Sequence, residues 1–169
     1  MAAINSVINS SSKLPDTGTL LSPDSSANLA VFEHFLPQIR HKNVCIIGRY
    51  PGLNKYSQEV QMKVIELNPG PEDFPAPASK YLLPEAEWVF LTATSIANKT
   101  FPRLVELAKN SKLVLMGPTL PWLPDLKQLG IDYLAGVKVT NLPALRETVA
   151  EGGGVRIFET GIQYSVVEL

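Results

Sequence analysis

The chain of 169 residues has one cysteine, two histidines and no surplus of positive charge. Because Cys45 is alone, no internal disulfide can form, and one cysteine with two histidines does not make the Cys/His cluster that zinc sites need. The formal net charge of −1 argues against a dedicated nucleic-acid-binding protein. No apolar run is long enough to span a bilayer, and residues 1–6 carry no basic side chain of a signal peptide. We therefore expect a cytoplasmic protein with neither a nucleic-acid nor a membrane partner.

Three common functional patterns are missing as well. The glycine fingerprint of dinucleotide-binding folds fails, because three residues with side chains separate Gly48 from Gly52. The P-loop pattern is absent, which argues against ordinary ATP hydrolysis. Hydroxyl side chains are plentiful, but no histidine lies in a segment predicted to reach them, so no catalytic triad can be named. Whether the chain is an enzyme is left open.

Short apolar runs that alternate with helix signals predict the fold. The runs cover residues 44–48, 63–67, 88–92 and 113–117, with a weaker one at 133–139, as expected for strands buried on both faces. Thr100, Thr119 and Asn141 are placed to cap helices between or after these runs. We predict a Rossmann-like α/β fold with a doubly wound, mostly parallel sheet and helices on both faces. Residues 155–158 and 162–167 are predicted as extra edge strands.

The N-terminal region is predicted to precede this domain. Residues 1–12 have apolar side chains at helical spacing, and Asn5 and Asn9 project together because they are four residues apart. Residues 13–25, rich in serine, proline, aspartate and glycine, are predicted as a loop. The expected organisation is a linker helix and loop over residues 1–25 and a Rossmann-like domain over 26–169. An amphipathic helix should follow, kinked or shortened by Pro37.

Polar and glycine residues gather where the predicted strands end. In open parallel sheets, ligands bind beyond the carboxyl ends of the strands. The proline-rich segment 68–78 leaves the second strand there and can wall a pocket or serve as a rigid surface connection. The predicted ligand-binding residues at these ends are Gly48, Arg49, Tyr50, Glu66, Asn68, Thr92, Thr94, Asn98, Gly117, Pro118 and Thr119.

Glu66 is the leading charged candidate, with several open roles. It could ligate a metal with Asn68 or Asp73, cap a loop, or pair with Arg49, and we favour the pairing over the metal. Its place after the second strand also resembles that of the carboxylate that holds a cofactor ribose. Arg49 offers a planar fork of donors for an anion.

The segments taken in order resemble the Rossmann-like domain of the putative heavy-metal chelation family. The resemblance is carried by AAINSVIN at residues 2–9, IIGRYP at 46–51, LTATSIANKT at 91–100, and MGPT at 116–119 followed by LGIDYLAG at 129–136. It extends to about residue 154. Ala93 stands where the family usually has glycine. The first segment resembles the family's linker helix, which adds Asn5 and Asn9 to the predicted binding residues.

The resemblance implies binding of a transition metal or a metal chelate at the strand ends. Members of the family carry a further domain, similar to the N-terminal domain of enolases, before the linker helix. We therefore expect half of the site to be supplied by a separate domain or by a second copy of the chain. Two alternatives remain: an enzyme that uses S-adenosylmethionine or another adenosine-containing cofactor, and a non-catalytic assembly subunit.

Overall fold

The computed structural model describes residues 1–22 and 27–169. It begins with helix α1 (Ala2–Ser11), as predicted. The loop predicted for residues 13–25 is wrong over two stretches, a short helix α2 (Leu14–Thr17) and strand β1 (Thr19–Leu20). Strand β1 forms because it pairs with the last strand of the chain, and such long-range pairing leaves no local pattern in two residues. Residues 23–25 of that predicted loop lie outside the described residues.

The sheet confirms the predicted fold class. Its remaining strands are β2 (Asn43–Ile47), β3 (Gln61–Glu66), β4 (Phe74–Pro75), β5 (Trp88–Thr92), β6 (Lys112–Met116), β7 (Tyr133–Val139) and β8 (Ile162–Glu168). The order across the sheet is β1-β8-β7-β6-β5-β2-β3-β4. Strands β2 to β7 are parallel, and β8 is antiparallel to both β7 and β1. The parallel strands have the order of the dinucleotide-binding folds, with the reversal between β2 and β5.

Helices connect the strands on both faces of the sheet. They are α3 (Ala30–Ile39), α4 (Ser79–Leu82), α5 (Thr94–Ala97), α6 (Phe101–Leu107), α7 (Leu142–Ala150) and α8 (Ile157–Thr160). Short 3-10 helices cover Ala27–Leu29, Leu53–Tyr56, Ala76–Ala78, Leu83–Glu85, Pro124–Leu129 and Gly154–Arg156. Helix α3 ends two residues after Pro37, and Asn141 caps α7 by accepting the Ala144 N–H at 3.2 Å. Within the described ranges, no helix has the length and apolar character needed to cross a membrane.

Three further predictions of local structure are wrong. No helix begins at Thr119; the chain stays irregular and buries Leu120 and Trp122, and a 3-10 helix begins only at Pro124. Residues 155–158 are helical rather than a strand, and Phe158 stacks on Tyr164 of β8 at 5.3 Å between ring centroids. Strand β8 exists as predicted but lies between β7 and β1 rather than at the edge.

Two hydrophobic clusters hold the layers together. Val44 and Ile46 of β2 pack on one face, in the cluster that contains Phe35 of α3. Cys45 points to the other face, in the cluster that contains Leu104 of α6. This alternation explains why parallel strands are apolar throughout, since both of their faces are covered. Because β3, β2, β5 and β6 are parallel neighbours in this order, their carboxyl ends lie side by side at one edge of the sheet.

Candidate functional site

A cavity of about 770 Å³ opens at the carboxyl ends of the parallel strands, next to the reversal in strand order. Its volume lies in the range of small-molecule sites, roughly 300–1,000 Å³. Of the 13 residues proposed from the sequence, ten line it: Gly48, Arg49, Tyr50, Glu66, Thr92, Thr94, Asn98, Gly117, Pro118 and Thr119. The structure therefore brings together all the strand-end candidates except Asn68, which is exposed and outside the lining.

Glu66 and Arg49 are neighbours, but they do not form the pair that we favoured. Glu66 Oε1 accepts the backbone N–H of Arg49 at 2.6 Å, and its Oε2 accepts that of Leu67 at 3.0 Å. The guanidinium of Arg49 instead pairs with Asp73, whose Oδ2 lies 3.0 Å from Nε and also contacts Nη2. Glu66 thus caps the turn after β2. Of the roles considered for it from the sequence, this is the capping of a loop.

The proline-rich segment is tied to the same turn. Asp73 Oδ2 accepts the N–H of Gly70 at 2.9 Å as well as the Arg49 guanidinium, and only 6% of the Asp73 side chain is exposed. These bonds hold the pKa of Asp73 below its usual value, chiefly through the hydrogen bond from Arg49. The segment then joins the sheet as β4 and contributes Ala76 to the cavity wall.

Hydroxyl groups form the wall at the end of β5. The Oγ1 atoms of Thr92 and Thr94 are 3.0 Å apart, so each hydroxyl can bond the other and still offer a free position to a ligand. Ser95 is buried and donates to the Thr92 carbonyl at 2.7 Å, which fixes the start of α5. Gly48 has φ +102, and a Cβ there would lie 3.3 Å from Thr92 Cγ2, so the glycine allows the two turns to approach.

Tyr50 closes the cavity towards α3. Its ring packs edge-on against Phe32 at 5.3 Å between centroids. Burial raises the pKa of Tyr50 to about 12, while a hydrogen bond with Thr92 acts in the opposite direction. The phenol is therefore neutral at physiological pH and can act as a hydrogen-bond donor or acceptor.

Four further polar or charged residues line the cavity that the sequence reasoning missed: Ser79, Lys99, Thr100 and Arg103. Ser95, which the sequence places at the end of the same strand as Thr92 but outside the predicted binding residues, lines it too. Lys99 lies in the turn between α5 and α6, and Arg103 lies in the first turn of α6. Lys99 had a usable signal, since it directly follows Asn98, a predicted binding residue in the segment beyond the end of β5. Ser79 had no such signal, because it begins α4 and reaches the cavity only through the fold.

Asn5 and Asn9 stand apart from the cavity and hold α1 to the loop that follows β6. Asn5 Nδ2 donates to the Thr119 carbonyl at 2.7 Å. Asn9 Oδ1 accepts the N–H of Trp122 at 2.9 Å, and its Nδ2 lies 3.4 Å from the Leu120 carbonyl. Neither asparagine lines the cavity, so any effect they have on a ligand passes through this loop.

The cavity offers few ligands for a bare metal ion. In residues 1–22 and 27–169, no three His, Cys, Asp or Glu side chains are grouped to hold one. Cys45 is buried in β2, and its burial raises the thiol pKa to about 11. His34 and His41 do not line the cavity. Glu66 is the one carboxylate of the described lining residues, and both of its oxygens already accept backbone N–H groups.

Known proteins resemble this chain in both sequence and fold. The sequence pattern of family DUF364, described as putative heavy-metal chelation, matches residues 30–168. A crystal structure of a DUF364 protein with unknown function from Pyrococcus horikoshii has a TM-score of 0.82 at 25% identity, covering 99% of this chain and 66% of that one. Another, from Desulfitobacterium hafniense, has a TM-score of 0.76 at 31% identity, covering 82% of this chain and 56% of that one.

A curated relative gives the same picture of partial coverage. An uncharacterized protein of Methanocaldococcus jannaschii is 34% identical over 109 residues, which are 60% of this chain and 42% of that protein. The chain thus spans 42% of this curated relative. It spans 56% of the structure from Desulfitobacterium hafniense and 66% of the structure from Pyrococcus horikoshii.

Proposed function

This chain belongs to the putative heavy-metal chelation family, and we propose that it binds a metal complex of a small anionic molecule in the strand-end cavity. The observation that carries the proposal is the composition of the lining. Three cationic side chains, Arg49, Lys99 and Arg103, stand against the single carboxylate of Glu66 among the described lining residues, and the hydroxyl groups of Thr92 and Thr94 lie on the same wall.

A chelate suits this lining better than a bare ion. A bare transition metal needs several thiolate, imidazole or carboxylate ligands from the protein. A chelated metal brings most of its ligands with it, and the outer surface of such a complex is commonly carboxylate oxygen. Cations and hydroxyl groups recognise that surface through charge-assisted hydrogen bonds.

Isothermal titration calorimetry of the untagged protein tests the proposal. The titrants are nickel(II) citrate, nickel chloride and citrate alone. We expect the complex to bind more tightly than either component, because the lining recognises the carboxylates and the metal preorganises them. Nickel chloride binding as tightly as the complex, or no binding of the complex, would contradict the proposal.

A variant that lacks one hydroxyl group of the cavity tests whether the ligand binds there. Thr94→Val removes a hydroxyl of the cavity wall at nearly constant volume and should weaken binding of nickel citrate. Thr140→Val makes the same change at an exposed position outside the cavity and serves as the matched control. Equal affinities of the two variants would place the ligand elsewhere.

An adenosine-containing cofactor is the second candidate, because the parallel strands have the order of dinucleotide-binding sheets and Glu66 ends β3 beside the reversal. A ribose would use the lone pairs of Glu66 that the backbone leaves free. S-adenosylmethionine or NAD should then raise the melting temperature, and Glu66→Ala should remove that rise. The melting temperature of Glu66→Ala is also measured without cofactor, because the variant loses the carboxylate that caps the turn after β2. No rise with any of these cofactors rules this candidate out.

A further inference from the structure

Lys99 differs from the other two cations of the cavity, because it has no ion-pair partner among the residues that the structure describes. Arg49 is paired with Asp73, and Arg103 Nη1 lies 2.6 Å from Glu106 Oε2. Lys99 forms no ion pair with any residue in the described parts of the chain. Because Lys99 also lines the cavity, its positive charge is available to a ligand bound there.

The backbone at Lys99 has a conformation that lysine disfavours. Its φ is +67°, in the left-handed region, which glycine or asparagine occupies at lower cost. The next residue fixes this turn, because Thr100 donates from both N–H and Oγ1 to Asn98 Oδ1, at 3.1 and 2.7 Å. Residues held in such conformations by their surroundings concentrate at ligand sites. Lysine here brings a side chain that the turn itself does not need.

We propose that Lys99 is the anion-recognition residue of the cavity and binds a carboxylate or phosphate group of the ligand. This inference rests on the proposed function for the location of the ligand and adds the chemical class of the group that is recognised. The hydroxyl pair of Thr92, at the end of β5, and Thr94, at the start of α5, supplies neutral donors for the remaining oxygens.

The first test compares variants at this position by calorimetry with nickel citrate. Lys99→Gln should weaken binding about tenfold or more, as expected for loss of a charge-assisted hydrogen bond, and Lys99→Arg should retain most of the affinity. Lys109→Gln removes the same charge at an exposed position outside the cavity and should bind like the wild type. Equal affinity of Lys99→Gln and wild type overturns the inference.

A glycine variant separates recognition from stability. Lys99→Gly relaxes the left-handed backbone, so its melting temperature should be unchanged or higher while its affinity falls as in Lys99→Gln. A marked fall in melting temperature would show that the lysine is needed by the fold, and would count against a recognition role.

The second test needs no metal complex. Acetylation of Lys99 by acetic anhydride is followed by peptide mass spectrometry, with Lys109 in the same molecule as the internal control. Citrate and inorganic phosphate are tested separately, with the uncharged ester trimethyl citrate as the neutral comparison. Protection of Lys99 by citrate alone indicates a carboxylate ligand, protection by phosphate a phosphate ligand, and both are consistent with anion recognition. Equal labelling in all conditions overturns the inference.

The two tests fail independently. If nickel citrate does not bind but an anion protects Lys99, the proposed function fails and the inference stands. If nickel citrate binds but Lys99 is neither protected nor needed for affinity, the proposed function stands and the inference fails.

Discussion

Replacing Asn9 by alanine should release helix α1 from the loop after β6. Helix α1 buries none of its residues, so apolar packing contributes little to its docking. Asn9 accepts the N–H of Trp122 at 2.9 Å and approaches the Leu120 carbonyl at 3.4 Å. The remaining amide contact of α1 with this loop is the 2.7 Å bond from Asn5 to the Thr119 carbonyl.

The hydrogen bond from the Trp122 N–H to Asn9 determines how much free energy the Asn9→Ala change should cost. Leaving a buried backbone donor without a partner costs about 1–3 kcal/mol, whereas the contact of Asn9 with the Leu120 carbonyl is too long to add much. Because water reaches the part-buried site after the change, we expect the lower part of this range, about 1–2 kcal/mol. The docked state of α1 should then be disfavoured roughly 5- to 30-fold. Adding Asn5→Ala should remove most of the remaining free energy that holds α1 against the loop.

Hydrogen–deuterium exchange measures this change locally. Amides of α1 should exchange faster in Asn9→Ala and fastest in the double variant, while amides of β5 and β6 keep their protection. Ser10→Ala is the control, because the Ser10 hydroxyl bonds to the Val7 carbonyl within the same helix and to no other described residue. Wild-type exchange of α1 in the double variant would refute the reasoning that the two amides hold this helix.

Three further predictions concern the core and the cavity rim. Gly136→Ala should lower the free energy of unfolding in urea by about 1–3 kcal/mol, because its Cβ would lie 2.6 Å from Trp122 Cζ2; an unchanged midpoint contradicts this. The Asp73 carboxyl has a lower pKa in the folded chain than in the unfolded chain, so its stabilising bond to Arg49 is present at neutral pH and is lost as the pH falls through the lowered pKa; Asp73→Asn should reduce the urea midpoint at pH 7, and this reduction should shrink steadily as the pH is lowered below the ordinary pKa of the carboxyl. The Cys45 thiol, with a pKa raised to about 11, should react with thiol reagents at pH 8 only after unfolding; rapid labelling of the native protein would contradict its burial.

The parallel core of the fold could be predicted because its strands are apolar on both faces. Residues 44–47 and 88–92 lie in β2 and β5 as predicted, and their ends give the location of the cavity directly. The same rule found Gly48 and Thr92, since each directly follows or ends a buried run. Asn141 was found because a cap beside a proline in the first turn is a local signal.

The failures share a physical cause, which is long-range contact overriding local preference. Thr119 has the sequence of a helix start, but α1 binds its carbonyl and the N–H of Trp122, and the Trp122 side chain is buried in the core. Glu66 was expected to meet the side chain of Arg49, yet the nearby Asp73 takes that guanidinium. No spacing in the sequence distinguishes the two carboxylates as partners of one arginine.

The charges of the cavity limit the forms in which a metal could be bound here. Glu66 is committed to the Arg49 turn, so a ligand that depended on it for its metal would have to compete with two backbone N–H groups. Lys99 has the opposite property, since it carries a full charge and no ion pair with the described residues. A metal that is bound as part of an anionic complex would place an anionic group against Lys99. The hydrogen bonds of Glu66 to the backbone would then stay intact. On the proposed function, we therefore expect the complex to bind more tightly than the free ion.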